Sequence, residues 1–236
     1  MLSELKRNDI KPVVEKGFLK IREKDQRYTS YDYCYNYFHK KDTIKEDIEL
    51  GCLHLTSYLA SWGMYRGSGF LLREKSYKFF EKLVKKISDQ PPSMWKIDVD
   101  NYKDDNINQL MKCREMIEEA LGKENRPSHT LVTKIMMGVF GSVPALDQLF
   151  ADGTKKILKK RIDKLTPKNI EEIRKFYEAN QQDIDDLSKS TFTMDYRTGS
   201  DSKINYTKAK IIDMYFWEKG REIAEENKKN KGKEHD

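Results

Sequence analysis

The chain has 236 residues, 37% of them hydrophobic and 36% charged, and a formal net charge of +6. That length supports one substantial core, and 13 Tyr, 10 Phe and 3 Trp supply bulky anchors where aliphatic residues are few. No apolar run reaches the length of a membrane span, no apolar leader follows Met1, and the three cysteines and four histidines lack disulfide-framework or metal-ligand spacing. The expectation is a cytoplasmic protein with free thiols, no metal and no cofactor.

Helical periodicity recurs along the chain and predicts an all-α fold, a multi-helix bundle without a sheet of three or more strands. Val13, Val14, Phe18 and Ile21 mark one face of a helix opening after Pro12. Ser30 is the expected N-cap of a helix over 31–40; the alternation Tyr31, Tyr33, Tyr35, Tyr37 also suits a strand, but β-branched neighbours and a hairpin partner are lacking. Thr43 is expected to cap a helix over 44–65, ended by Gly67-Ser68-Gly69, with another over 70–87. The Pro91-Pro92 stretch, 88–103, reads as an irregular connection and as the junction of two helical lobes flanking a cleft. Helices are then expected from Asp104 or Asp105 to Leu121, over 130–140, over 154–165, from Thr166-Pro167 to about 187, and over 205–227. Residues 1–227 make a single helical domain, and 228–236 a frayed, charged tail.

Two segments carry polar chemistry. Lys155, Lys156, Lys159, Lys160, Arg161 and Lys164 fall within ten residues whose one acid is Asp163, a density that can neutralise several phosphates or simply form a solvated face. Around the first Gly-rich turn, Trp62, Tyr65, Arg66 and Ser68 offer stacking faces and hydrogen bonds suited to an extruded base; close helix packing with Trp62 as an anchor is the alternative. A guanidinium held near a core needs a partner, and Asp147 is a candidate for Arg66.

The most informative stretch is 130–150. A short apolar helix ends at Phe140-Gly141, the chain turns through Ser142-Val143-Pro144, and Asp147 appears as apolar residues resume. An acid at that point is an ordinary N-cap, or a carboxylate kept ionised by the helix start and able to stabilise a developing sugar cation. The segment resembles the helix-hairpin-helix DNA glycosylase superfamily, in which a helix ends in a Phe-Gly-like turn and a Pro-containing loop leads to an Asp lining the lesion pocket. The resemblance implies a glycosylase that excises a modified or damaged base, in repair or in antiphage defence, with Asp147 as its catalytic acid and DNA as its partner. It covers about a fifth of the chain. The hairpin glycines are replaced by Gly122-Lys123-Glu124-Asn125-Arg126-Pro127-Ser128-His129, so Arg126, Ser128 and His129, with Lys155, Lys156, Lys159 and Lys160, become the expected DNA contacts. The Schiff-base lysine of bifunctional members aligns near Thr130, while Lys134 stands a turn further on, which implies a monofunctional enzyme using water. The other readings are a non-catalytic helical DNA-binding protein and a helical protein-interaction module.

Overall fold

The computed structural model describes residues 2–233. Helices account for 70% of it, and the only sheet among the described residues is a two-stranded hairpin. In chain order the helices are α1 (Leu2–Leu5), α2 (Ile10–Lys16), α3 (Ser30–His39), α4 (Lys41–Glu46), α5 (Ile48–Ser61), α6 (Phe70–Glu74), α7 (Glu81–Ser88), α8 (Asp104–Ala120), α9 (His129–Phe140), α10 (Gln148–Leu158), α11 (Pro167–Ala179), α12 (Gln181–Ser190) and α13 (Lys208–Lys233). Strands β1 (Phe192–Met194) and β2 (Asp201–Asn205) pair antiparallel, Phe192 opposite Asn205 and Met194 opposite Asp201, with a bulge between.

The departures from the expected elements have local causes. Asp47, not Thr43, starts α5: its carboxylate accepts the Leu50 amide at 2.8 Å, so the chain restarts there instead of running through from 44. The helix over 70–87 is broken by an extended Lys75 and a 3-10 turn, Tyr77–Phe80. The basic helix expected over 154–165 is α10, which starts earlier, at the Asp147 cap, and stops when Lys159 turns left-handed (φ 56°). Thr154 is buried inside that helix and its hydroxyl accepts the Ile162 amide at 3.0 Å, folding 159–165 back over it. The helix from Pro167 breaks at Asn180, whose side chain donates to the Leu5 and Phe176 carbonyls and accepts the Arg7 amide. That break fastens the N-terminal segment to the bundle. The last helix continues through Lys233, past the expected start of a tail at 228; residues 234–236 lie outside the described residues.

Packing sorts the helices into two groups. In one, α1 lies on α11, α2 on α12 and α13, and α10 on α13; in the other, α3 to α9 pack mainly among themselves. The chain therefore leaves the first group after α2 and rejoins it at α10. Segment 88–103 lies within the second group, as two 3-10 turns that strap it to the first. Trp95 donates its indole N–H to the Val139 carbonyl (3.0 Å), and Asp98 accepts the Lys208 and Ala209 amides that open α13. The closest crossing is α10 on α13. A Cβ at Gly153 would collide with the Phe216 carbonyl, and one at Gly220 with the Leu149 carbonyl, so each helix presents a glycine to the other's backbone. Residues 131–146 are buried without interruption.

Candidate functional site

The site lies where the two groups meet. Helix α9 ends at Gly141 (φ 65°), a left-handed position where a side chain would also strike Tyr35 and Thr207. The loop that follows is fixed at four of its residues, Gly141, Ser142, Ala145 and Leu146. Thr207 donates to the Gly141 carbonyl and Tyr102 to the Ser142 carbonyl. The Ala145 amide donates to Asp213, and the Leu146 amide to the Thr133 hydroxyl. Thr130 donates to the Leu146 carbonyl at 3.0 Å. The loop thus delivers Asp147 to the N-terminus of α10 with little freedom.

One Asp147 oxygen accepts the Phe150 amide at 3.1 Å, and the other lies 3.3 Å from the Lys134 ammonium. The Asp147 side chain keeps 17% of its surface exposed and Lys134 only 5%. The same ammonium donates to the Trp62 carbonyl at 2.8 Å, so Asp147 and the end of α5 are joined through Lys134. Burial pulls the Lys134 pKa below its usual value, while Asp147 and Asp213 push it back up and exposed Arg66 presses it down.

A second buried ion pair lies behind the first. The Lys210 ammonium donates to Asp213 at 2.8 Å and sits over three rings, Trp62 at 4.6 Å and Phe18 and Tyr31 each at 4.7 Å. A cation faced by three aromatic quadrupoles recovers part of its lost hydration. Burial raises the Asp213 pKa, and Lys210 opposes that rise. Around Trp62 the aromatic wall continues with Tyr28 at 5.4 Å, Tyr58 at 6.1 Å and, beyond Tyr28, Trp217 at 5.4 Å. The Trp62 indole N–H is buried without a hydrogen-bond acceptor among the described residues.

The residues expected from sequence are therefore unevenly placed. Asp147 and Trp62 come together. Arg66 is exposed and is not the partner of Asp147, because Lys134 holds that place. Tyr65 is half-buried beside Thr56 of α5, and Ser68 is exposed. Ser128 is committed to capping α9 through the Leu131 amide, His129 is half-buried in the first turn, and Arg126 is an exposed left-handed residue (φ 45°). The basic cluster is less free than its sequence implies: Lys156 pairs with Glu222, Lys160 with Glu172, and Arg161 with Asp152 and Asp163. One acid distant in sequence, Glu222, and three nearby ones neutralise part of it, leaving Lys155, Lys159 and Lys164 as its exposed cations without an ion pair among the described residues.

No protein-family model, curated protein or solved structure matches this chain. Its chemistry has to be read from its own residues. Sequence reading missed Lys134, Lys210 and Tyr28 as members of the site. Lys134 carried a signal, as a lysine inside an otherwise apolar helical run where a charge needs a partner, and Lys210 carried one in the acid Asp213 three residues on. Two surface concavities, of about 200 and 600 Å³, have linings that include neither Asp147, Trp62 nor Lys134. Among the described residues no helix is long and apolar enough to cross a membrane, and no group of three or more His, Cys, Asp or Glu could hold a metal ion.

Proposed function

We propose that the chain is a monofunctional DNA glycosylase-like enzyme that releases a modified or damaged base, with Asp147 as the catalytic carboxylate. The observation that carries this reading is the placement of Asp147: partly open to solvent, at the start of α10, and fastened through Lys134 to the Trp62 end of α5. Breaking an N-glycosidic bond builds positive charge on the sugar, and a fixed carboxylate stabilises that charge or orients the attacking water. Tyr28, half-buried beside the buried Trp62 and Trp217, is the ring of this aromatic wall that an unstacked base could reach. The exposed cations Arg66, Arg126, Lys155 and Lys159 are the candidate phosphate contacts.

The test is release of free base from a panel of modified duplex and single-stranded DNAs, with wild type and Asp147→Asn compared. Asn caps a helix about as well as Asp, so the start of α10 is kept when the charge is lost. Base release should fall by about two to three orders of magnitude, with the circular dichroism spectrum preserved. Equal rates remove Asp147 from the mechanism. Borohydride is included because an amine with a lowered pKa is the kind that forms a Schiff base; a trapped adduct at Lys134 makes the enzyme bifunctional.

One observation favours a second reading, a non-catalytic helical DNA-binding or protein-interaction protein. Both Asp147 oxygens already have partners within the fold, as a purely structural cap would. Absence of base release from every substrate, with DNA binding retained, selects that reading.

A further inference from the structure

On the far side of α3 and α5 from Lys210 lies a groove of about 600 Å³ that the Asp147 chemistry does not use. Its floor is the outer face of α3, with Tyr33, Asn36 and Tyr37. One wall is the outer face of α5, and the other is the turn of the β1–β2 hairpin, with Asp195, Tyr196 and Arg197. We propose that this groove holds a segment of single-stranded nucleic acid, its bases on the aromatic walls and its phosphates on Lys40 and Arg197.

The walls are built for stacking. Tyr37 and His54 lie face to face with ring centroids 4.4 Å apart, and Tyr33 meets Tyr196 edge-on at 5.2 Å. Burial lowers the His54 pKa, so at neutral pH it is a flat, uncharged face. The Tyr37 hydroxyl donates to the Asp47 carbonyl and the Tyr33 hydroxyl to the Lys24 carbonyl, which fixes both rings. Tyr196 is 77% exposed, a ring held out to solvent on a turn that is itself well ordered: Asp195 accepts the Arg197 and Thr198 amides and the Thr198 hydroxyl. Leu50 and Leu53 add exposed apolar surface beside it.

The charge of the groove selects an anion. Lys40 and Arg197 are exposed at its rim, and neither makes an ion pair among the described residues. The one acid of the lining, Asp195, accepts bonds from its own loop and feels the charge of Lys40, which leaves the two cations in excess of it. Flat hydrophobic faces with adjacent unpaired cations match the requirements of base stacking and phosphate contact. The openness of the site argues for a strand over a free nucleotide. A small-molecule site encloses most of its ligand, whereas Tyr196 remains largely in solvent, the two leucines are partly exposed, and the surface suits a polymer lying across it. The proposal is independent of Asp147: it needs no chemistry, and its residues face away from that site.

The experiment uses the full chain and a fluorescein-labelled fifteen-nucleotide oligothymidylate, read by anisotropy across a salt series. Tyr196→Ala should weaken binding about ten-fold, the loss of one stacked base. Lys40→Glu with Arg197→Glu should reduce the slope of log affinity against log salt by more than one, since each lost phosphate contact contributes about 0.7. Base release by the wild type is read in the same preparation: base release without groove-dependent strand binding fails this proposal alone, and groove-dependent strand binding without base release fails the glycosylase reading alone. A 5-iodouracil strand irradiated on the wild type should crosslink to the peptide carrying Tyr196 or to the Tyr33–Tyr37 peptide. The proposal is overturned if the wild type does not bind the strand, if the groove variants bind it unchanged, or if crosslinks map elsewhere. It is also overturned if millimolar thymidine monophosphate competes as well as the strand does. Loss of a dimer in Tyr196→Ala by sedimentation, without loss of strand binding, assigns the groove to a second copy of the chain instead.

Discussion

Replacing Lys134 by Met and Asp147 by Asn, singly and together, measures how firmly the candidate carboxylate is held. Lys134→Met removes the ammonium but fills the channel its stem occupies; Asp147→Asn removes the charge but keeps the bond to the Phe150 amide. At the observed 3.3 Å, Coulomb's law with an effective dielectric of about 20 gives about 5 kcal/mol. Water at the exposed edge of Asp147 screens that attraction, and desolvation of the lysine opposes it, so the expected coupling energy is about 2 kcal/mol. Asp147→Asn alone should cost about 2–3 kcal/mol, because it strands a buried ammonium with only the Trp62 carbonyl. That cost should shrink with rising pH. A lysine whose folded pKa lies below its unfolded value binds fewer protons folded than unfolded, so stability grows as pH rises towards the unfolded pKa of about 10.4. The assay is urea unfolding of the four proteins at pH 7 and pH 9. A coupling below about 0.5 kcal/mol, or a cost for Asp147→Asn that grows at pH 9, would refute the claim that Lys134 positions Asp147.

Gly153→Ala places a methyl group against the Phe216 carbonyl. The gain in helix propensity, about 1 kcal/mol, should be outweighed by overpacking, for a net loss of about 1–3 kcal/mol and a melting temperature lower by about 3–10 °C; an unchanged or higher melting temperature would show that α10 and α13 are free to separate. Asp32 is fully buried and accepts bonds from the Met194 amide and the Tyr206 hydroxyl, with Arg22 3.5 Å away and Lys210 also acting on it. Burial still pushes its pKa up to about 6, so the folded state takes up a proton before the unfolded state does. Its stabilising contribution is full below the unfolded pKa near 4 and is lost as pH rises through about 6, by about 3 kcal/mol at most. Urea unfolding at pH 4 and pH 7 should show that loss in wild type relative to Asp32→Asn; parallel pH profiles would place the charge elsewhere.

The helices were legible in the sequence because their signals are local. Asp147 and Thr166 each accept an amide at the start of a helix, as does Ser128, which was read as a DNA contact instead, and Gly122 and Gly141 end or follow helices at positive φ. The breaks at Asp47 and Asn180 were harder to read, since periodicity continues across them and Asn180 is held by carbonyls and an amide, two of them from the N-terminal segment. The hairpin was missed although Phe192-Thr193-Met194, a turn with Gly199, and Lys203-Ile204 carry its alternation; the stretch is too short to stand out beside long helices. Of the candidate site, Asp147 and Trp62 were legible as separate candidates from their loops. The ammonium that joins them was not. Lys134 is seventy-two positions from Trp62, and only the tertiary fold decides whether a lysine in an apolar helix snorkels outward or is sealed in with a carboxylate.

The unbroken burial of 131–146 has a consequence for motion. Amides in such a segment exchange with solvent only when the domain opens as a whole, whereas those at an exposed hairpin tip exchange through local fluctuation. Deuterium uptake should therefore be slowest in α9 and the loop to Asp147 and fastest near Tyr196. The two candidate binding regions sit at opposite ends of that scale. A carboxylate anchored in the core suits a task in which the partner must be bent to fit the protein, and an exposed aromatic tip suits one in which the partner is laid across the surface.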